Sequence, residues 1–133
     1  MTKLIVDDYN DLLNLHKALM EAKFHNDPEN DCIAGSPVIA RIMNQIVDII
    51  SECDSDSWGE WRNIKNHRLE EASHEYIGVW HKMIIAASRN CIWSEVSYQE
   101  KINISKIYLS PFYYDNQDLE DFINQVDDLL IKN

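Results

Sequence analysis

SPVIARIMNQIVDIISEC, residues 36–53, decides the fold. Between Val38 and Ile50 the polar residues are Arg41, Asn44, Gln45 and Asp48, an i, i+3, i+4, i+7 spacing that lines them up on one strip of an α-helix. Every other position from 38 to 50 is apolar: Val38, Ile39, Ala40, Ile42, Met43, Ile46, Val47, Ile49 and Ile50. An apolar arc that wide has to be covered on most sides by other elements. Ser36 suits an N-cap and Pro37 the first helical position. The stretch is predicted to be the central helix of a bundle.

On its N-terminal side, Asp7 or Asp8 is placed to cap a helix reaching Phe24, with Leu12, Leu15, Leu19 and Ala22 on one face. The acids Asp7, Asp8 and Asp11 fall at the positive end of its dipole, and Lys17 and Lys23 toward the other end. Residues 3–6, KLIV, fit a short strand or an extended lead-in equally well. HNDPENDCIAG, residues 25–35, is turn chemistry. On the C-terminal side, Ser57 and Glu60 match a capping box and predict a helix from Trp58. A longer helix is predicted over 68–90, where Leu69, Ala72, Tyr76, Val79, Trp80, Met83, Ile84 and Ala87 keep helical spacing. Within 101–110, Ile102 and Ile104 alternate with polar residues, as do Ile107 and Leu109, which suits a short strand or hairpin, with a short helix as the other reading. Asn116 is read as the cap of a last helix over 117–132, with Leu119, Phe122, Ile123, Val126, Leu129 and Leu130 inward. The expectation is a mainly α, single-domain bundle of about five helices spanning 1–133.

At 133 residues, 45% hydrophobic and with only three Gly and three Pro, the composition is that of one globular, helix-rich domain. No apolar run approaches the roughly 18 residues of a membrane span, and MTKLIVDDYND has no signal-peptide core. Three unpatterned cysteines, Cys32, Cys53 and Cys91, fit a reduced, cytoplasmic chain and are expected to be buried structural residues.

The net charge of −11 is unevenly placed. Residues 27–60 hold eight acids against Arg41 alone, and residues 115–133 hold six against Lys132, balances of −7 and −5. Residues 61–106 stand at +2 and the first 26 residues at −1. Such a field repels nucleic acid and anionic lipid and attracts basic proteins. The clusters around Asp27 and Asp54 flank opposite ends of the central helix, roughly 25 Å apart.

No catalytic motif is present. His67, Glu70, Glu71, His74 and His81 include one Glu-x-x-His, half of the di-metal bundle motif. No second copy follows, so a metal-binding helical enzyme is only an alternative, and neither metal nor cofactor is expected. Trp58 and Trp61, at i and i+3 beside Asp54, Asp56 and Glu60, have the makeup of an interface anchor with a charged rim, or of a plug for the bundle's end. Asp115, Asp118 and Asp121 form the second candidate acidic surface.

A small, acidic, mainly helical chain rich in Asn, Ile and aromatic residues resembles the bacterial immunity proteins of contact-dependent growth inhibition and related systems. DSDSWGEW, residues 54–61, and the acidic run from Tyr113 to Asp121 carry the resemblance. It implies a non-enzymatic toxin inhibitor whose partner is a basic, nuclease-type toxin domain, its active cleft covered by an acidic surface. Asp54, Asp56, Trp58, Glu60, Trp61, Asp115, Asp118 and Asp121 are the expected partner-binding residues. An acidic regulatory protein or nucleic-acid mimic is the other binding-protein reading.

Overall fold

Ser36 does begin the central helix. Its Oγ accepts the Ile39 N–H at 3.2 Å, Pro37 sits in the first turn, and the helix, α2, runs Pro37–Ile50. The computed structural model describes residues 2–24, 33–68 and 78–132. Around α2 lie α1 (Tyr9–Lys23), α3 (Ser55–Arg62), the single turn α4 (Lys65–Arg68), α5 (Val79–Ser88), α6 (Tyr98–Leu109) and α7 (Asn116–Lys132), with a 3-10 turn at Trp93–Glu95. The described residues are thus mainly helical, in seven helices rather than five. They contain no strand, only an isolated bridge between Asn63 and Tyr113. None of these helices is long and apolar enough to cross a membrane.

The strand or hairpin expected within 101–110 is instead helix α6. Its inward face is Ile102, Ser105, Tyr108 and Leu109, and a serine interrupts the apolar period there. Ser105 is fully buried because its Oγ donates back to Lys101 O at 2.7 Å, so the hydroxyl needs no outside partner. Ser97 caps the helix, accepting the Glu100 N–H. In the predicted 68–90 helix, residues 69–77 lie outside the described residues, and α5 begins afresh after Gly78. The α3 helix starts three residues earlier than expected, because Asp54 rather than Ser57 supplies the cap. At α7, Asp115 replaces Asn116 as cap: its Oδ1 accepts the Asp118 N–H at 2.8 Å, and Asp118 Oδ2 accepts the Asp115 N–H at 2.9 Å. Residues 3–6 are irregular.

Two hydrophobic clusters hold the helices. The larger one joins Met43 of α2 to Trp80 and Met83 of α5, Leu109 of α6, and Phe122 and Val126 of α7. The buried indoles of Trp80 and Trp93 each place their N–H on an acceptor, Gln125 Oε1 at 3.0 Å and Asp127 Oδ1 at 2.8 Å. The smaller cluster packs Leu12 of α1 against Ile46, Val47 and Ile50 at the C-terminal end of α2, with Val6 and Trp58 beside them. Val38 and Ile49 of α2 are about half exposed, so its apolar arc is covered less fully than expected. Cys53 and Cys91 are exposed thiols, contrary to the burial expected of them; Cys32 lies outside the described residues. Gly35 is needed where it stands, since a Cβ there would meet the Tyr108 hydroxyl at 2.7 Å.

Two buried cations fasten this framework. Arg62, 3% exposed, donates from Nε to Pro111 O at 2.6 Å and from its terminal nitrogens to Asp48 Oδ1 at 2.5 Å, the Tyr113 hydroxyl at 2.9 Å and Asn44 Oδ1 at 3.3 Å. Lys23, 4% exposed, donates to Ile107 O at 2.8 Å and Ser110 O at 2.6 Å, capping the C-terminus of α6. Burial pulls the Lys23 ammonium down to about 7.

Replacing Arg62 by Met leaves these acceptors without donors and should lower unfolding free energy by about 3 kcal/mol or more in urea denaturation. Asp48→Asn, at a carboxylate 60% exposed, should cost less than about 1 kcal/mol. Lys23 binds its proton more weakly folded than unfolded, so its contribution to stability is complete above pH 10.5 and is lost as pH falls toward 7. Wild type should therefore gain stability between pH 7 and 10.5 relative to Lys23→Met, read from denaturation midpoints across that range.

Candidate functional site

The C-terminal end of α2 turns into α3 through Glu52, Cys53 and Asp54, all exposed. Asp54 caps α3 and Asp56 lies in its first turn, where the helix dipole favours acids. Trp58 and Trp61, one helical turn apart, face inward toward α1, and both are half-buried. Their rings stand edge-on at 5.4 Å to one another, and each meets the His16 imidazole edge-on, at 5.4 and 5.1 Å. From Trp61 the stacking continues to Phe112 at 4.9 Å and His67 at 5.9 Å. His67 Nε2 lies 2.5 Å from Trp61 O; a carbonyl only accepts, so this nitrogen carries the proton. Trp61 is therefore part of the framework as well as a candidate contact, and Trp58 is the outer member of the pair.

His16 is 5% exposed, its Nδ1 has no hydrogen-bond partner, and burial followed by the neighbouring Lys17 charge pushes its pKa down. A neutral imidazole thus fills the space between two indoles. Since Val6, Leu12 and Leu15 pack with Ile50 and Trp58, the start of α1 lies at the same end of the molecule as α3. Asp7, Asp8 and Asp11 accordingly join Glu52, Asp54, Asp56 and Glu60 at one corner. All seven carboxylates are exposed, and none makes an ion pair among the described residues. The contribution of α1 escaped the sequence reading because its first 26 residues are almost neutral overall; only the packing of α1 on α2 brings its acidic end here.

The second predicted cluster is built differently. Asp118 is 1% exposed and lies inside an ion-pair knot, with Lys65 Nζ at 2.6 Å and Arg68 at 2.9 Å. As a partner-contacting residue Asp118 is corrected: burial and two cations make it structural. Asp115 pairs with Lys65 at 2.6 Å and Asp121 with Arg68 at 3.0 Å. The Lys65 hydrogen bond, then the Asp118 N–H, hold the Asp115 carboxyl down at about 2. Gln117, then Arg68, depress Asp121. Three carboxylates facing two cations leave little net field.

A cleft of about 310 Å³ runs from Gly59 of α3 to Asp115 and Asp118 of the second cluster, with Tyr113, 58% exposed, on its wall. Tyr113 was not among the expected contacts, although an aromatic residue beside an acidic run was a signal for it. Among the described residues no group of three His, Cys, Asp or Glu side chains is placed to hold a metal ion. Glu70, Glu71 and His74 lie outside the described residues.

No protein-family model matches the chain, and no curated protein or solved structure matches it either.

The depressed pKa of His16 carries a pH prediction. A buried imidazole that resists protonation stabilises the fold above pH 6.5, and this is lost as pH falls through its lowered pKa. Wild type should lose stability on acidification below pH 6.5, by at most about 1.4 kcal/mol per pH unit from this group. His16→Phe should lack that increment, measured as the difference between the two denaturation curves.

Proposed function

We propose that this chain is an inhibitory binding protein of the immunity type, which neutralises a basic, nuclease-like toxin domain by covering its active cleft with the acidic corner of α1 and α3. The observation that carries this reading is the set of seven exposed, unpaired carboxylates around the half-buried Trp58–Trp61 pair. Acids left without internal cations remain available for lysines and arginines of another protein, in the place that nucleic-acid phosphates would otherwise take. A field of one sign speeds encounter, while an aromatic centre slows release. Asp54, Asp56, Trp58 and Glu60 are the contacts this reading favours. Trp61 supports them from beneath, Asp115 lies across the Gly59 cleft, and Asp121 is paired with Arg68.

The test is inhibition of a basic nuclease toxin domain, sought first in the adjacent open reading frame, by the purified chain at one-to-one stoichiometry. Asp54→Asn keeps the helix cap and removes the charge. Combined with Asp56→Asn and Glu60→Gln, it should slow association about tenfold or more at low salt with little change in dissociation. Trp58→Ala should mainly speed dissociation. Failure of the chain to bind or inhibit, or unchanged binding by all these variants, would overturn the reading.

A further inference from the structure

A second surface, along the first half of α2, carries cations rather than acids among the described residues. A shallow groove of about 390 Å³ runs between the first half of α2 and the C-terminal end of α6. Its polar lining is Arg41, Asn44, Gln45, Lys106, Ser110 and Tyr114, with no acidic side chain among the described residues. Arg41 and Lys106 are exposed, and their charged ends make no ion pair or hydrogen bond among the described residues. In a chain carrying 23 acids against 12 lysines and arginines, two cations without internal partners line this one groove.

Backbone and side-chain acceptors behind the groove are already engaged. The carbonyls of Ile107 and Ser110, at the negative end of α6, are both taken by the buried Lys23. The Asn44 side-chain oxygen accepts from Arg62, and the Asn44 amide donates to Ser110 Oγ at 3.3 Å. The strongest acceptors of the wall are thus occupied from inside. Burial raises the Tyr114 pKa, which keeps its hydroxyl protonated and able to donate. Pro37, Ala40 and Ile107 supply apolar surface between these donors. A neighbouring cleft shares Lys106 and Tyr114 but contains Glu120, so an anion is better placed on the Arg41 side.

We propose that the Arg41–Lys106 groove is a binding site for a small organic phosphate, its dianionic group held by Arg41 and Lys106 and its apolar body lying against Pro37, Ala40 and Ile107. The guanidinium fork suits two phosphate oxygens, and Lys106 adds a point charge. The site is separate from the acidic corner and does not depend on its proposed role.

Phenyl phosphate is the probe, titrated into the full-length protein at constant ionic strength and followed by amide chemical shifts. Saturable shifts around Arg41, Gln45, Lys106 and Tyr114 are expected. Arg41→Gln and Lys106→Gln, both at exposed positions outside the core, should each weaken binding about tenfold while leaving the rest of the spectrum in place. Inorganic phosphate should bind about tenfold more weakly than phenyl phosphate, because it leaves the apolar wall uncovered. Benzyl alcohol, which has the ring without the charge, should produce no saturable shifts. The proposal is overturned if phenyl phosphate does not saturate, if both variants bind like wild type, or if inorganic phosphate or benzyl alcohol binds as well as phenyl phosphate.

Discussion

The buried guanidinium of Arg62 is the constraint on which the arrangement of the helices depends. Taking that charge out of water is costly, and it is offset only because acceptors converge on it from two other parts of the chain. Asn44 and Asp48 come from α2, Pro111 and Tyr113 from the connection between α6 and α7, and the arginine itself ends α3. The backbone continues the junction: Tyr113 N–H donates to Arg62 O at 2.7 Å, and Ile64 N–H to Tyr113 O at 3.0 Å. The Tyr113 ring lies 4.3 Å from the guanidinium. Three elements distant in sequence are held in one register, and the start of α3, with its acids and tryptophans, is oriented as a result.

The same economy explains where the charge of −11 shows itself. Lys23, Arg62, Lys65, Arg68 and Lys101 are each bound internally, to backbone carbonyls or to carboxylates. Most of the carboxylates they meet are on α7, so the acidic C-terminal segment is largely neutralised by the mildly basic middle of the chain. The corner formed by α1 and α3 receives no such partner among the described residues. The surface field is therefore set by which acids the fold leaves unpaired, and acid density along the sequence is a poor guide to it.

Much of the fold was legible because long apolar periods and cap residues dominate local structure: Ser36 and Pro37 begin α2, Asp8 caps α1, and the α7 stripe is buried as read. The failures share a physical origin. In α6 a self-satisfied Ser105 occupies a core position and breaks the apolar period, although Ser97 and Glu100 formed a capping box that argued for helix. At α3 and α7 several adjacent side chains can serve as caps; at α3 it is Asp54, and at α7 it is the reciprocal Asp115–Asp118 pair, which also meets Lys65. For the candidate site, the tryptophans and the acids of α3 could be read from spacing. The burial of Asp118, and the arrival of Asp7, Asp8 and Asp11 at the same corner, required knowing which helices pack together.

Seven carboxylates crowded onto one end of a small protein repel each other, and the helix directions temper that repulsion. The corner contains the N-termini of α1 and α3, each equivalent to about half a positive charge. Asp8 and Asp54 cap these ends, while Asp11 and Asp56 lie in their first turns. Asp8 and Asp54 are thus stabilised by backbone N–H groups that a partner's cations do not compete for, since one carboxylate oxygen can accept a local N–H while the other faces solvent. Neutral His16 beneath the two tryptophans adds no cation to the corner that would quench its field. Acidity at this place is consistent with local helix stability and with attraction of a basic protein at the same time. The arrangement therefore tolerates a strong surface field without requiring internal salt bridges to hold it together.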